Sequence, residues 1–208
     1  MIVIYLAVIG IGVFAIAAGI LGTWLRRNPS KTNAESSSRI MHFLFFTALG
    51  TPFLVAMFYP GLTHLDEVAG WQPLPFKTVF QIIGIILAVP GLYLLGVSNK
   101  LLRALGSGAN AFRLTKQVVG SDIYRLTRNP MSLGYYLAAL SLGLVTGSTV
   151  LTWMVVMGLI PAHVFFLKYF EELELELRLG DPYKEYKRNT PFLIPKFSAK
   201  RSTFDHLG

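Results

Sequence analysis

Apolar and polar positions along this chain fall into long blocks. Apolar blocks run from Ile2 to Leu25, from about Ile40 to Tyr59, from about Val79 to Val97, from Met131 to about Val145, and from Val150 to Phe170. A helix needs about 20 residues to cross a bilayer, with about 17 as the short limit. The fourth block falls slightly below that and is expected to tilt little, thin the bilayer or borrow flanking residues. The "TGS" turn joins it tightly to the fifth. The pattern predicts an all-α, polytopic membrane protein with five transmembrane helices. Pro52, Pro90 and Pro161 lie inside blocks and are predicted to kink them. Small residues four apart, Ala15 with Gly19 and Ala18 with Gly22, read as close helix packing. No linker or internal repeat divides the chain, so one domain is expected over 1–208. Within it, 1–77 holds two spans and an external loop, and 78–208 holds the third to fifth spans with the C-terminal region.

Charge orders these blocks. Of the 19 Lys and Arg residues, 18 lie between the first and second blocks, between the third and fourth, or at and after the end of the fifth. Only Lys77 falls on the other side. The positive-inside rule places the N-terminus outside and the C-terminus in the cytoplasm, as expected for a prokaryotic inner (plasma) membrane. The first block is too long for the apolar core of a signal peptide and has no basic leader, so it reads as retained.

Only 14% of residues are charged and 53% are hydrophobic, which points to lipid rather than to a large aqueous core. Cysteine is absent, which excludes disulfides and thiolate chemistry. The four histidines are scattered without helical ligand spacing, so no metal is expected. His64, Asp66 and Glu67 read as a solvated external loop with Trp71 as an interfacial anchor, and His42 and His163 as ordinary polar contacts near span ends. Spans this poor in ionisable groups weigh against a transporter, and no nucleic-acid partner is expected. The invested polarity lies in two cytoplasmic stretches.

The first is "ALGSGANAFRLTKQVVGSDIYRLTRNPMSLG", with "GSGAN" as a flexible loop and "GSD" as a turn. Asn129 reads as an N-cap and Pro130 as the first residue of the fourth span. Its free amides suit either a plain helix start or a ligand's carboxylate or hydroxyls. The second stretch begins at "EELELELRLG", which crowds Glu171, Glu172, Glu174 and Glu176 into a chain with 11 acidic residues and a net charge of +8. Alternating Glu and Leu suggests a strand, but both are helix formers and no breaker separates them from the fifth block. A continuing helix to a stop at Gly180 is expected, with Asp181 and Pro182 as the N-cap and first residue of another. Glu174 pairs with Arg178 four residues on. Glu174 and Glu176 then read as solvated. Glu171 and Glu172 lie near the bilayer and need a basic side chain or a cationic ligand as partner.

"YRLTRNPMSLG", a helical hairpin, and "EELELELRLGDPYKEYKRNTPFLIP" together resemble the integral-membrane methyltransferases, including isoprenylcysteine carboxyl methyltransferases and phospholipid N-methyltransferases. The resemblance covers about the C-terminal half. It implies a cytoplasmic S-adenosylmethionine pocket, closed by the C-terminal helical segment and opening sideways to lipid. By correspondence Lys116, Gln117, Val118, Val119 and Tyr124 would line the cofactor, as would the turn that follows Arg128, from Asn129 through Pro130 and Met131 to Ser132. Glu171 and Glu172 match the family's glutamate pair, with Glu171 the better candidate for bonding the cofactor. Asn129 stands where many members have His, and Ser132 where Tyr is usual. Leu167 replaces a substrate-contacting Arg of the isoprenylcysteine enzymes, which removes support for a prenylcysteine carboxylate as acceptor.

The implied activity is methyl transfer to a lipophilic acceptor in the bilayer. Rate would come mainly from alignment and exclusion of water, and no residue stands out as a catalytic base. Two other readings remain open here: an NADPH-dependent membrane reductase of the sterol-reductase type, and a non-enzymatic adaptor retaining the fold. The identity of the acceptor and the oligomeric state are left open.

Overall fold

The computed structural model describes residues 1–105 and 114–196. The expected "GSGAN" loop, Arg113, Lys200 and Arg201 lie outside the described residues. Every regular element among the described residues is helical. Helix α1 spans Ile2–Arg27 and α2 Lys31–Phe58. A short α3 (Leu65–Ala69) follows, then α4 (Lys77–Ala104), α5 (Ile123–Leu126) and α6 (Pro130–Thr146). Helix α7 spans Thr149–Leu179 and α8 Asp181–Asn189. Four of these, α1, α2, α4 and α7, are long and apolar enough to cross a membrane, and α6 is a shorter apolar helix. The protein is a multi-pass membrane protein.

Polar flanks extend the apolar blocks. Helix α2 begins nine residues before its apolar block because Ser30 accepts the Asn33 amide and starts the helix in the polar run. The prolines act through the turns before them. Pro52 follows a π-helical stretch at Phe45–Gly50, and Pro161 follows another at Met154–Leu159. A proline has no amide proton and crowds the carbonyl four residues earlier, and a widened turn relieves that conflict. Pro90 sits inside α4 without such a stretch.

Helices α4 and α6 pair closely along their lengths. A Cβ on Gly134 would meet the Gly91 carbonyl at 2.8 Å and the Leu95 amide at 2.9 Å, so the crossing requires bare backbone there. Helix α1 packs on α2 and α7, with Phe14, Ala18, Leu25, Met41, Phe166 and Phe170 buried at the centre. Ala18 is fully buried, and a Cβ on Gly22 would meet the Tyr169 ring at 2.8 Å. The small residues of α1 therefore admit an aromatic side chain.

The end of the bundle opposite the basic clusters is fastened by Asp66. The sequence suggests a solvated carboxylate, but Asp66 is buried. It accepts bonds from Ser148 Oγ (3.1 Å), Thr149 N (3.0 Å) and Val150 N (2.7 Å), capping α7 from another segment. His163 departs from expectation too. It is buried within α7, with Nδ1 2.7 Å from Tyr136 Oη and its ring among those of Phe14, Phe45, Tyr135 and Phe166. His42 is the ordinary contact expected, its Nδ1 meeting the Ser38 carbonyl at 2.8 Å.

Candidate functional site at the basic end

At the other end, Thr127 to Asn129 lead into α6 and are covered by the chain that follows α8. The Arg128 amide donates to the Pro191 carbonyl (2.8 Å), and its Nη1 to the carbonyls of Lys187 and Thr190. Its Nη2 pairs with Glu172. Thr127 Oγ1 (3.1 Å) and Asn129 Nδ2 (2.9 Å) both donate to the Phe192 carbonyl, and the Lys196 amide to that of Leu126 (3.1 Å). Asn129 occupies the N-cap position of α6, but its side chain makes no cap bond, being turned to Phe192. The amides of Met131 and Ser132 thus lack the carbonyl four residues earlier that serves a helix interior. Tyr186 Oη donates to the Tyr124 carbonyl at 2.6 Å, binding α8 to α5.

The four glutamates divide differently from the sequence reading. Glu174 is 1% exposed and pairs with Arg178, whose Nη1 reaches the Thr115 carbonyl, so it is a buried brace and not a solvated residue. Glu172 takes Arg128 and Lys187 as its basic partners, and Lys187 also bonds Glu176 at 2.9 Å. Partial burial disfavours the charged Lys187, yet its bonds to Glu172 and Glu176 raise its pKa on balance. Glu171 alone of the four makes no hydrogen bond or ion pair among the described residues. It closes a third π-helical stretch, Leu167–Glu171, and lies within electrostatic reach of Tyr124, Tyr136 and Tyr183. Burial pushes the Tyr124 and Tyr183 phenols well above the usual tyrosine range, so at neutral pH both are protonated.

Other polar atoms here are buried and unsatisfied among the described residues: Ser98 Oγ on α4, Ser121 Oγ, and Arg128 Nε. Ser98 Oγ sits beside the Tyr124 hydroxyl without a geometrically complete bond to it. The sequence marks neither serine as a site residue, since Ser98 follows the end of the third apolar block and Ser121 lies in the "GSD" turn. Of the remaining candidates, Val119 and Tyr124 are buried and Val118 is half-buried. Lys116 and Gln117 are exposed, with Gln117 Nε2 turned to the Leu105 carbonyl. Among the described residues no group of His, Asp or Glu is placed to hold a metal ion. Among the described residues this end of the bundle therefore carries a carboxylate and helix-start amides without bonded partners, protonated phenols and unsatisfied hydroxyls, with a C-terminal segment pinned to residues 126–129.

Residues 79–180, which contain these features as far as the α7 terminus, match the phospholipid methyltransferase family. That region belongs to an integral-membrane methyltransferase family. One relative is methanethiol S-methyltransferase 2 of Bradyrhizobium diazoefficiens, 30% identical over 83 residues, or 40% of this chain. The match spans 30% of that relative's length. No solved structure matches the chain.

Proposed function

We propose that the protein is an S-adenosylmethionine-dependent methyltransferase acting on a lipophilic acceptor held in the membrane. The observation that carries this reading is Glu171, which among the described residues makes no hydrogen bond or ion pair and lies within electrostatic reach of Tyr124, whose hydroxyl has the unsatisfied Ser98 Oγ beside it. A buried polar group without a partner is costly, and these groups have the chemistry to receive an amino acid and a ribose. Glu171 would hold the cationic amino group or the ribose hydroxyls, and the Met131 and Ser132 amides the carboxylate. When bound, the sulfonium supplies an electrophilic methyl group together with its leaving group. The residues of the chain position and enclose: Arg128 and Asn129 hold the cover that keeps water out, while the Tyr124 and Tyr183 phenols remain donors at neutral pH.

The reading includes α6 as a fifth span and an N-terminus outside, which puts the basic end in the cytoplasm of a prokaryotic inner membrane. The relative's thiol chemistry makes a lipophilic thiol an acceptor to try beside phospholipid amines. The test is calorimetric titration of the purified protein with S-adenosylmethionine and its demethylated product, followed by labelled-methyl transfer into a lipid extract and a thiol panel. Binding of the demethylated product and a labelled lipophilic product are expected. Binding of NADPH in place of either sulfur compound overturns the reading.

A further inference from the structure

Helix α4 buries three residues, Gly84, Gly91 and Ser98, which lie seven apart and so on one face. The two glycines fit the close crossing with α6. A Cβ on Gly84 would meet Val145 Cγ2 at 2.8 Å and the Ser141 carbonyl at 3.0 Å, and one on Gly91 would meet the Ala138 amide at 2.9 Å and the Gly134 carbonyl at 3.2 Å. The register is antiparallel, with Gly84 beside Ser141 and Gly91 beside Gly134. One further step of seven sets Ser98 level with the approach to α6, where α4 also meets α5.

A hydroxyl is surplus to packing at this position, and the helix itself does not use it. Thr23, Thr47, Thr146 and Thr152, elsewhere in the bundle, each donate to the carbonyl four residues earlier, at 2.7–2.8 Å. A helical serine or threonine commonly settles its hydroxyl in this way. Ser98 is fully buried, and its Oγ makes no such bond, nor any other among the described residues. It stands beside the Tyr124 hydroxyl instead. Tyr124 is held by its backbone: its amide donates to the Ser121 carbonyl at 3.0 Å, and its carbonyl accepts from Tyr186 Oη at 2.6 Å. Its phenol is within electrostatic reach of Glu171. Two hydroxyls and a carboxylate from α4, α5 and α7 thus converge without bonding one another.

We propose that Ser98 is a positioning residue for the cofactor site: its hydroxyl donates to Tyr124 Oη and leaves the phenol proton for an acceptor atom of the bound methyl donor. This rests on the methyl-transfer reading above and extends that site to α4. A phenol has one proton to give and lone pairs to accept with. With Ser98 bonded to its oxygen, the Tyr124 O–H is aimed away from α4, and a hydrogen bond accepted at the oxygen strengthens the one that the same hydroxyl gives. An unsatisfied buried hydroxyl lowers stability, so a residue needed only for packing here would be better as alanine.

The test is calorimetric titration of the whole chain in detergent with the demethylated product of S-adenosylmethionine, beside thermal unfolding of the same preparations without it. Ser98→Ala should bind about three- to tenfold more weakly, as for the loss of one neutral hydrogen bond, while its unfolding midpoint stays level or rises. A residue that only packs gives the reverse, unchanged affinity with a lower midpoint. Tyr124→Phe should weaken binding at least as much. Adding Ser98→Ala to it should weaken binding no further, because residues that act through one another are not additive. Where Tyr124→Phe binds too weakly to measure, Ser98→Ala alone decides. Wild-type affinity in Ser98→Ala overturns the proposal, as do a midpoint that falls together with affinity and losses that simply add in the double variant. Absence of binding by the wild type overturns the methyl-transfer reading and this proposal with it, so the wild-type titration tells the two failures apart.

Discussion

Arg128 and Glu172 are 44 residues apart in sequence and form a largely buried ion pair that joins the approach to α6 to the C-terminal part of α7. The same guanidinium bonds the carbonyls of Lys187 and Thr190, so one side chain fastens both the helix end and its cover. Breaking such a pair from one side leaves a buried charge and typically costs about 3–5 kcal/mol; here Lys187 remains on Glu172 and limits the loss. Arg128→Ala should therefore lower the thermal unfolding midpoint in detergent and make the 187–196 segment sensitive to protease. Arg128→Lys should recover only part of this, because an ammonium cannot reproduce the planar fork. Equal protease resistance in Arg128→Ala and wild type would show that the cover is held elsewhere.

Glu171 predicts the opposite pairing of effects. Among the described residues its carboxylate makes no hydrogen bond or ion pair, so Glu171→Gln should leave the unfolding midpoint unchanged or raise it. Binding of the demethylated cofactor should fall by about tenfold or more, since a hydrogen bond to a charged group contributes about 1.5–3 kcal/mol. Calorimetry and thermal unfolding on the same preparation separate the two. A stability loss with unchanged binding would make Glu171 a structural residue.

Helix existence was legible from the apolar blocks because each is long enough to cross lipid, and polar flanks only lengthened them. Which face each residue presents was less legible. The π-helical stretch at Leu167–Glu171 shifts the register of α7 just before the glutamates, and Glu174 with its expected partner Arg178 is buried against the Thr115 carbonyl of a distant segment. No proline marks that stretch, whereas Pro52 and Pro161 flag the other two. Asp66 and His163 were misjudged for a related reason. Their partners, Ser148 to Val150 and Tyr136, come from distant segments, and a single sequence does not encode which segments meet.

Asp66 gives a stability prediction independent of the basic end. It caps the first amides of α7 and bonds Ser148, so Asp66→Ala removes a cap from a buried helix start. Cap removal costs about 0.5–2 kcal/mol, and unsatisfied buried donors place this case at the upper end. Asp66→Asn, which keeps one acceptor oxygen, should lose less. Thermal unfolding should rank wild type above Asp66→Asn above Asp66→Ala, with cofactor affinity the same in all three. A changed affinity would mean that the two ends of the bundle are coupled.

The phenols at the basic end make stability depend on alkaline pH. Tyr186 is buried and donates to the Tyr124 carbonyl. Burial, and next the neighbouring Tyr124 and Tyr183 phenols, push its pKa well above the ordinary value. A group whose pKa is higher in the folded state contributes stability that is fully present below its unfolded value, about 10 for tyrosine. That contribution is lost as pH rises, because the unfolded chain releases the proton first. The unfolding midpoint should thus be flat below about pH 10 and fall above it. Tyr186→Phe should start about 1 kcal/mol lower at neutral pH, having lost one hydrogen bond. Its alkaline decline should be shallower, since one fewer phenol has to ionise. Midpoints measured across that range with tyrosinate absorbance as a second signal check both effects, and parallel curves for the two proteins would remove Tyr186 from the account.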